Sequence, residues 1–278
     1  MSPRGGAVVT GAGGGLGREI ATRLGAAGFH VLVTDVDGAA AHAVAGEITD
    51  AGGTATGLEL DVRDQGAMRR AASTAVEAAG SLALWVNNAG ILVTGPVWEQ
   101  DDDQRRLMFE VNALGTMHGT VAALEVMRPA RTGHVINVGS LAGLVSVPGE
   151  GVYAATKHAV VGLSTSTLAD LRAAGERDVH ISCICPDGMW TPMLHDKLDD
   201  PQASMSFSGQ LLQPEDVADA VRRLVDRPRP VVALPRWRGV EVRLFDLVPG
   251  LAMRTVPLVV RMSRVQQRAA ARRLRRSA

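Results

Sequence analysis

The chain of 278 residues has one tyrosine, two cysteines and two lysines against 27 arginines. Cys183 and Cys185 are i and i+2 neighbours in HISCICP, where a strand would point them the same way without letting them bridge easily. They read as small buried hydrophobes in a reducing compartment, so a cytoplasmic location is expected. The seven histidines, at 30, 42, 118, 134, 158, 180 and 195, form no HExxH and no Cys/His spacing of a zinc site, so no metal is expected. MSPRGGAVVTGAGGG holds three consecutive apolar residues before threonine and glycine interrupt it, which argues against a signal peptide. A net charge of zero gives no reason to expect a nucleic-acid partner. No stretch of roughly 20 apolar residues is present to span a membrane, because Pro249, Arg254 and Pro257 break the most apolar part of the C-terminal region.

What the chain does have is a 46% apolar composition, enough for one sizeable α/β domain. Apolar, β-branched runs at 7–10, 30–35, 55–62, 82–90, 134–140, 180–186 and 231–235 read as buried strands. Segments rich in Ala, Leu and Arg at 15–27, 37–51, 64–79, roughly 101–128, 152–175 and 214–226 read as helices. Strands alternating with helices predict a single Rossmann-type doubly wound parallel sheet of about seven strands with helices on both faces, over residues 1–235. The segment from Met189 to Gln213 is long for a connection and is expected to be an irregular, functional loop.

TGAGGGLG, residues 10–17, follows the first strand and opens the first helix. In that position glycines admit a pyrophosphate close to the backbone, and the free amides of the helix N-terminus hold its charge. Asp35 ends the second strand 18 residues after Gly17, where a carboxylate can accept from ribose hydroxyls and would repel a 2′-phosphate. Val36, not an arginine, follows it, so NAD(H) is favoured over NADP(H) as cofactor.

The sole tyrosine, Tyr153, lies in VYAATKHA, one helical turn before Lys157, so the two share a helix face. An alcohol that gives up a hydride must also give up a proton, and a phenol with a pKa near ~10 is a poor base at neutral pH. A nearby ammonium favours the phenolate, as does a positive nicotinamide ring.

Taken in order, T10-G-A-G-G-G15-L-G17, Asp35, D61-V62, N87-N-A-G90, Asn112, Ser140 and Y153-A-A-T-K157 resemble the short-chain dehydrogenase/reductase family, in its short, single-domain branch. The resemblance runs from residue 5 to about 235. It implies that Gly11, Gly15, Leu16 and Gly17 line the pyrophosphate, that Asp61 with Val62 meets the adenine, and that Asn88, Ala89 and Gly90 border the cofactor. It further implies that Tyr153 is the acid/base, that Lys157 activates it and bonds the nicotinamide ribose, that Ser140 holds the substrate oxygen, and that Asn112 holds a water linking Lys157 to solvent. Past the sixth strand the family pattern P-G-x-V-x-T appears as P186-D-G-M-W-T191, which keeps Pro186 and Thr191, the carboxamide ligand, but has Asp187 in place of glycine. Leu141, Val147, Met189, Trp190, Met193 and Leu194 would line the substrate side, suiting an apolar secondary alcohol or its ketone. A homodimer or homotetramer built partly on the two long helices is also implied.

Residues 236–278 differ in kind, with 11 arginines against Glu241 and Asp246. Arg261, Arg264, Arg268, Arg272 and Arg275 recur at steps of 3, 4, 4 and 3, a stripe widened by Arg273 and Arg276. Two readings stay open for this Arg-rich extension: peripheral contact with an anionic membrane surface, or packing on the domain or a neighbouring subunit. Competing functions are a non-catalytic NAD-binding regulator, a membrane-surface adaptor and a serine hydrolase. The first would be free to lose Ser140, Tyr153 or Lys157, and the last needs a G-x-S-x-G frame that V-G-S-L-A-G lacks.

Overall fold

Period-2 burial in the strands decides the layering. In β1 (Gly6–Thr10), Ala7 and Val9 face one core cluster while Val8 faces another; in β2 (His30–Asp35), Val31 and Val33 join the first and Leu32 the second. A strand apolar on both faces must be covered on both, as the sequence leads one to expect. The computed structural model describes the backbone of residues 4–277 and side chains through residue 272.

Among the described residues seven parallel strands form one sheet in the order β3-β2-β1-β4-β5-β6-β7. The others are β3 (Thr54–Glu59), β4 (Leu82–Asn87), β5 (Gly133–Val138), β6 (Val179–Pro186) and β7 (Val231–Leu234). On one face lie α1 (Gly15–Ala26), α2 (Gly38–Asp50) and α8 (Pro214–Asp226), which bury Ile20, Leu24, Val44, Ile48, Val217 and Val221. On the other lie α3 (Gln65–Ala79), α5 (Gly115–Ala130) and α6 (Gly151–Ala173), whose Met68, Ala72, Ala123, Met127 and Leu171 pack around the fully buried Trp85.

Two elements depart from the sequence expectation. The helix expected over 101–128 is α4 (Asp102–Met108), a π-helical turn (Phe109–Leu114) and α5. The segment 189–213 is not irregular: it holds α7 (Pro192–His195) and a 3₁₀ helix (Pro201–Phe207), and a Met189–Leu212 bridge brings its ends together. Beyond β7, α9 (Arg236–Leu247) is followed by α10 (Pro249–Ser277), a helix with Pro257 inside it. No described helix is long and apolar enough to cross a membrane. The expected stripe is described at Arg261, Arg264, Arg268 and Arg272, all exposed; the side chains of Arg273, Arg275 and Arg276 lie outside the described residues.

Candidate active site

Because the crossovers from β1 and β4 run to opposite sides of the sheet, the two strands leave a crevice beyond their C-terminal ends. A cavity of about 830 Å³ occupies that position and runs from the glycine loop to Tyr153.

At the loop end, Gly11 and Gly15 have φ of +61° and +52°, a region that favours glycine. A Cβ on Gly11 would lie 2.8 Å from the Ala89 Cα, so the loop and the N88-A-G90 turn touch backbone to backbone. Thr10 stitches them: its hydroxyl accepts from the Asn88 and Ala89 amides at 3.0 and 3.1 Å, and Asn88 Nδ2 donates to the Thr10 and Gly11 carbonyls. Gly17 does not line the cavity. A Cβ there would collide with the Gly11 carbonyl oxygen and approach Asn88 Nδ2 to 2.6 Å, so its part is close packing. Gly11, Gly15, Leu16, Asn88, Ala89 and Gly90 do line it.

Asp35 reaches the same cavity, with Oδ2 accepting from the Gly13 amide at 2.9 Å and Oδ1 from the Asp37 amide at 3.1 Å. Asp61 and Val62 border it as well, but the Asp61 carboxylate is clamped by Arg63, whose Nε sits 3.0 and 2.9 Å from its two oxygens. Arg63 holds Asp61 below the usual carboxylate range. Arg63 itself lines the cavity, a residue that sequence reasoning passed over. Pro186 and Thr191 close the far wall, Thr191 within 4.0 Å of a Cβ built on Gly15.

Ser140, Tyr153 and Lys157 meet at the other end. Ser140 caps the 3₁₀ turn Leu141–Gly143, and a Cβ on Gly143 would lie 2.6 Å from the Lys157 carbonyl oxygen. That close approach seats Ser140 against α6. Lys157 is buried, its Nζ donating to the Val138 carbonyl at 2.9 Å and lying 5.6 Å from the Tyr153 ring centre. Burial lowers the Lys157 ammonium to about 8. Burial also pushes the Tyr153 phenol up, the charge of Glu150 adds to this, and its polar contact with Ser140 opposes it.

Asn112 is fully buried behind the cavity, in the π-helical turn. Its Oδ1 accepts from the Ile91 amide at 2.8 Å; its Nδ2 donates to the Ile91 carbonyl at 2.9 Å and Thr156 Oγ1 at 3.1 Å. Both N–H donors are therefore engaged by protein. A Cβ on Gly90 would come within 3.3 Å of Asn112 Oδ1 and 3.6 Å of Lys157 Nζ, so these two converge across Gly90.

Two further features were missed from the sequence. Glu150, the residue that precedes the first turn of α6, lines the cavity while only 2% exposed, accepting from Ser206 Oγ at 2.6 Å. Burial pushes its carboxyl up to about 7. Asp187 is held by Arg238 of α9, whose Nε donates to it at 2.9 Å and whose other nitrogens reach Ser208 and Glu241. Through this contact the extension becomes a wall of the cavity, adding Val242, Phe245, Val256 and Val259 to Leu141, Val147, Met189, Met193 and Leu194. Trp190 is not part of that lining; it stacks edge-on against His195 at 4.6 Å.

Comparison with known proteins agrees with this geometry. The family model for short chain dehydrogenases matches residues 6–202. A 1-deoxy-11-beta-hydroxypentalenate dehydrogenase of Streptomyces exfoliatus is 38% identical over 68% of each chain. A cyclopentanol dehydrogenase of Comamonas testosteroni is 34% identical over 78% of this chain and 88% of its own. A crystal structure of a short chain dehydrogenase/reductase from Burkholderia phymatum in complex with NAD superposes with a TM-score of 0.81 at 30% identity, over 90% of this chain and 96% of that one. With the sheet order, the glycine crevice and the Ser140, Tyr153 and Lys157 cluster in place, the chain belongs to the short-chain dehydrogenase/reductase family of oxidoreductases.

Proposed function

We propose that the protein is an NAD(H)-dependent oxidoreductase interconverting an apolar secondary alcohol and its ketone. The observation that carries this is one continuous cavity with Asp35 and the glycine loop at one end and Ser140, Tyr153 and Lys157 at the other. The cofactor fits the residues present: at Gly14 and Gly15, which line the cavity, a Cβ would project into space that holds no protein atom closer than 3.9 Å, and Asp35 is oriented by two backbone amides with a lone pair free on each oxygen. Gly11, Gly15, Leu16, Asp35, Val62, Asn88 and Thr191 would hold it. A bound nicotinamide supplies the hydride acceptor or donor and, when oxidised, a positive ring.

The chain's own residues manage the oxygen. Ser140 donates to the substrate oxygen and stabilises the charge developing there. Tyr153 takes the hydroxyl proton in oxidation and returns it in reduction. Lys157, as an ammonium, opposes the rise that burial imposes on the phenol. Asn112 fixes the Ile91 backbone and Thr156, and its Oδ1, which converges with Lys157 Nζ across Gly90, would accept from a water that links Lys157 to solvent. The apolar lining excludes water and favours an alkyl or cyclic substrate. Relatives named for cyclopentanol and hydroxypentalenate support a cyclic alcohol. Exposed Leu114, Met117 and Val121 share a face of the π turn and α5 and support a homodimer or homotetramer. The free thiols of Cys183 and Cys185, 3.8 Å apart and buried, support a reducing, cytoplasmic setting.

The test is NADH formation from NAD⁺, in parallel with NADP⁺, across aliphatic, cyclic and steroid alcohols. Tyr153→Phe is expected to lower kcat by about 10²–10⁴-fold with NADH binding retained. Equal turnover by the mutant would overturn the assignment of Tyr153, and cofactor binding without turnover of any alcohol would favour a non-catalytic regulator.

A further inference from the structure

α10 has two unlike faces. Ala252, Val256, Val259, Ser263, Gln267 and Ala271 recur at helical spacing and turn inward. Gln267 Nε2 donates to the Lys197 and Asp200 carbonyls at 2.9 and 2.7 Å, and Ser263 meets the Met205 sulfur at 3.6 Å, so this face is fixed on the segment that follows β6.

The opposite face reads Leu251, Arg254, Leu258, Arg261, Val265, Arg268 at steps of 3, 4, 3, 4 and 3. All six are exposed, Leu251, Leu258 and Val265 by 61%, 62% and 63%. Leu244 and Leu247 on α9 carry the apolar surface on. From residue 247 to 277 there is no acidic residue, and among the described residues Arg254, Arg261 and Arg268 make no ion pair. A purely solvated helix has no need of a leucine or valine at every second outward position. Self-association would set arginine against arginine across the contact. An interface between water and anionic headgroups suits both residue types, since the apolar side chains sink while guanidinium groups reach the phosphates.

We infer that α9 and α10 form a docking element for an anionic lipid surface, with the Leu251 to Arg268 face as its contact. Met253 and Met262 line the active-site cavity yet are 49% and 57% exposed, so the mouth of the cavity lies beside this face. On the function proposed above, an apolar alcohol held in the lipid enters at that mouth. The docking itself stands without that reading.

The experiment is flotation of the full chain with vesicles of phosphatidylcholine plus phosphatidylglycerol, against phosphatidylcholine alone. R254Q/R261Q/R268Q and L251S/L258S/V265S are run beside it, with NADH binding as the check that each variant folds. The expected result is binding to the anionic vesicles only, released by salt, with a partition coefficient lowered on the order of 100-fold in the arginine variant, from about 1 kcal/mol per arginine. Absence of vesicle binding, binding indifferent to lipid charge, or partition unchanged in both variants would overturn it. A solution sedimentation coefficient that falls in the leucine variant without loss of lipid binding would also overturn it, assigning the face to a second copy of the chain. Vesicle binding with no alcohol turnover would sink the enzymatic proposal alone, and turnover without vesicle binding the docking alone.

Discussion

Glu150 couples two properties at the residue scale. Its folded-state carboxyl titrates at about 7 against an ordinary 4.5, so between those values the folded chain holds a proton that the unfolded chain has released. This contribution to stability is therefore lost as pH rises through that window. Glu150→Gln is expected to raise Tm by about 4 °C at pH 8 and to leave it unchanged at pH 4, as scanning calorimetry would read. The same substitution removes a negative charge that pushes Tyr153 up. The acid limb of the kcat/KM profile for alcohol oxidation should accordingly move to lower pH; a limb that stays put would detach Glu150 from Tyr153. At the other end of the cavity, Asp35→Ser is expected to cut kcat/KM with NAD⁺ about 10-fold and to narrow or reverse the preference over NADP⁺, by steady-state kinetics with each cofactor. Tyr153, Lys157 and Asp35 were legible because each is scarce or sits at a telling spacing. Glu150 and Arg63 were not, since a glutamate at a helix start and an arginine in an Arg-rich chain look like ordinary solvated residues until burial and partners are known.

Among elements, the tie between β6 and α9 is the most informative. Asp187 and Arg238 are 9% and 14% exposed in their side chains, so deleting one leaves the other charged and poorly solvated. Arg238→Met is expected to destabilise by about 3 kcal/mol, and Asp187→Gly/Arg238→Met to recover most of that loss in urea unfolding. Both variants should raise KM for bulky alcohols more than for small ones, because α9 forms part of the wall. The strands and most helices were readable to within a few residues, since period-2 and 3.6-residue burial patterns are local. The π-helical turn was not: Phe109–Leu114 has an ordinary helical composition, and the demand that Asn112 reach Ile91 and Thr156 comes from other parts of the chain. The segment 189–213 looked irregular because its order derives from Leu212 returning to Met189 and from α10 packing on it.

For the whole molecule, the apolar face at Leu114, Met117 and Val121 leads to a prediction about assembly. Met117→Glu/Val121→Glu should lower the homodimeric or homotetrameric state proposed above in analytical ultracentrifugation, and an unchanged sedimentation coefficient would overturn the assignment of this face. The architecture was legible from the alternation of strand and helix, and the cofactor half of the site from motifs that each sit at a strand end. The substrate half was less so, because α9 and α10 join it from beyond the last strand. Strand order carries a last consequence, for the nascent chain. Once β4 has paired with β1, each later strand adds at the same growing edge in the sequence in which it leaves the ribosome, β5, then β6, then β7. The glycine loop, Asp35, Ser140, Tyr153 and Lys157 have all emerged before α9 and α10, so these parts of the cavity can assemble while its outer wall is still being translated.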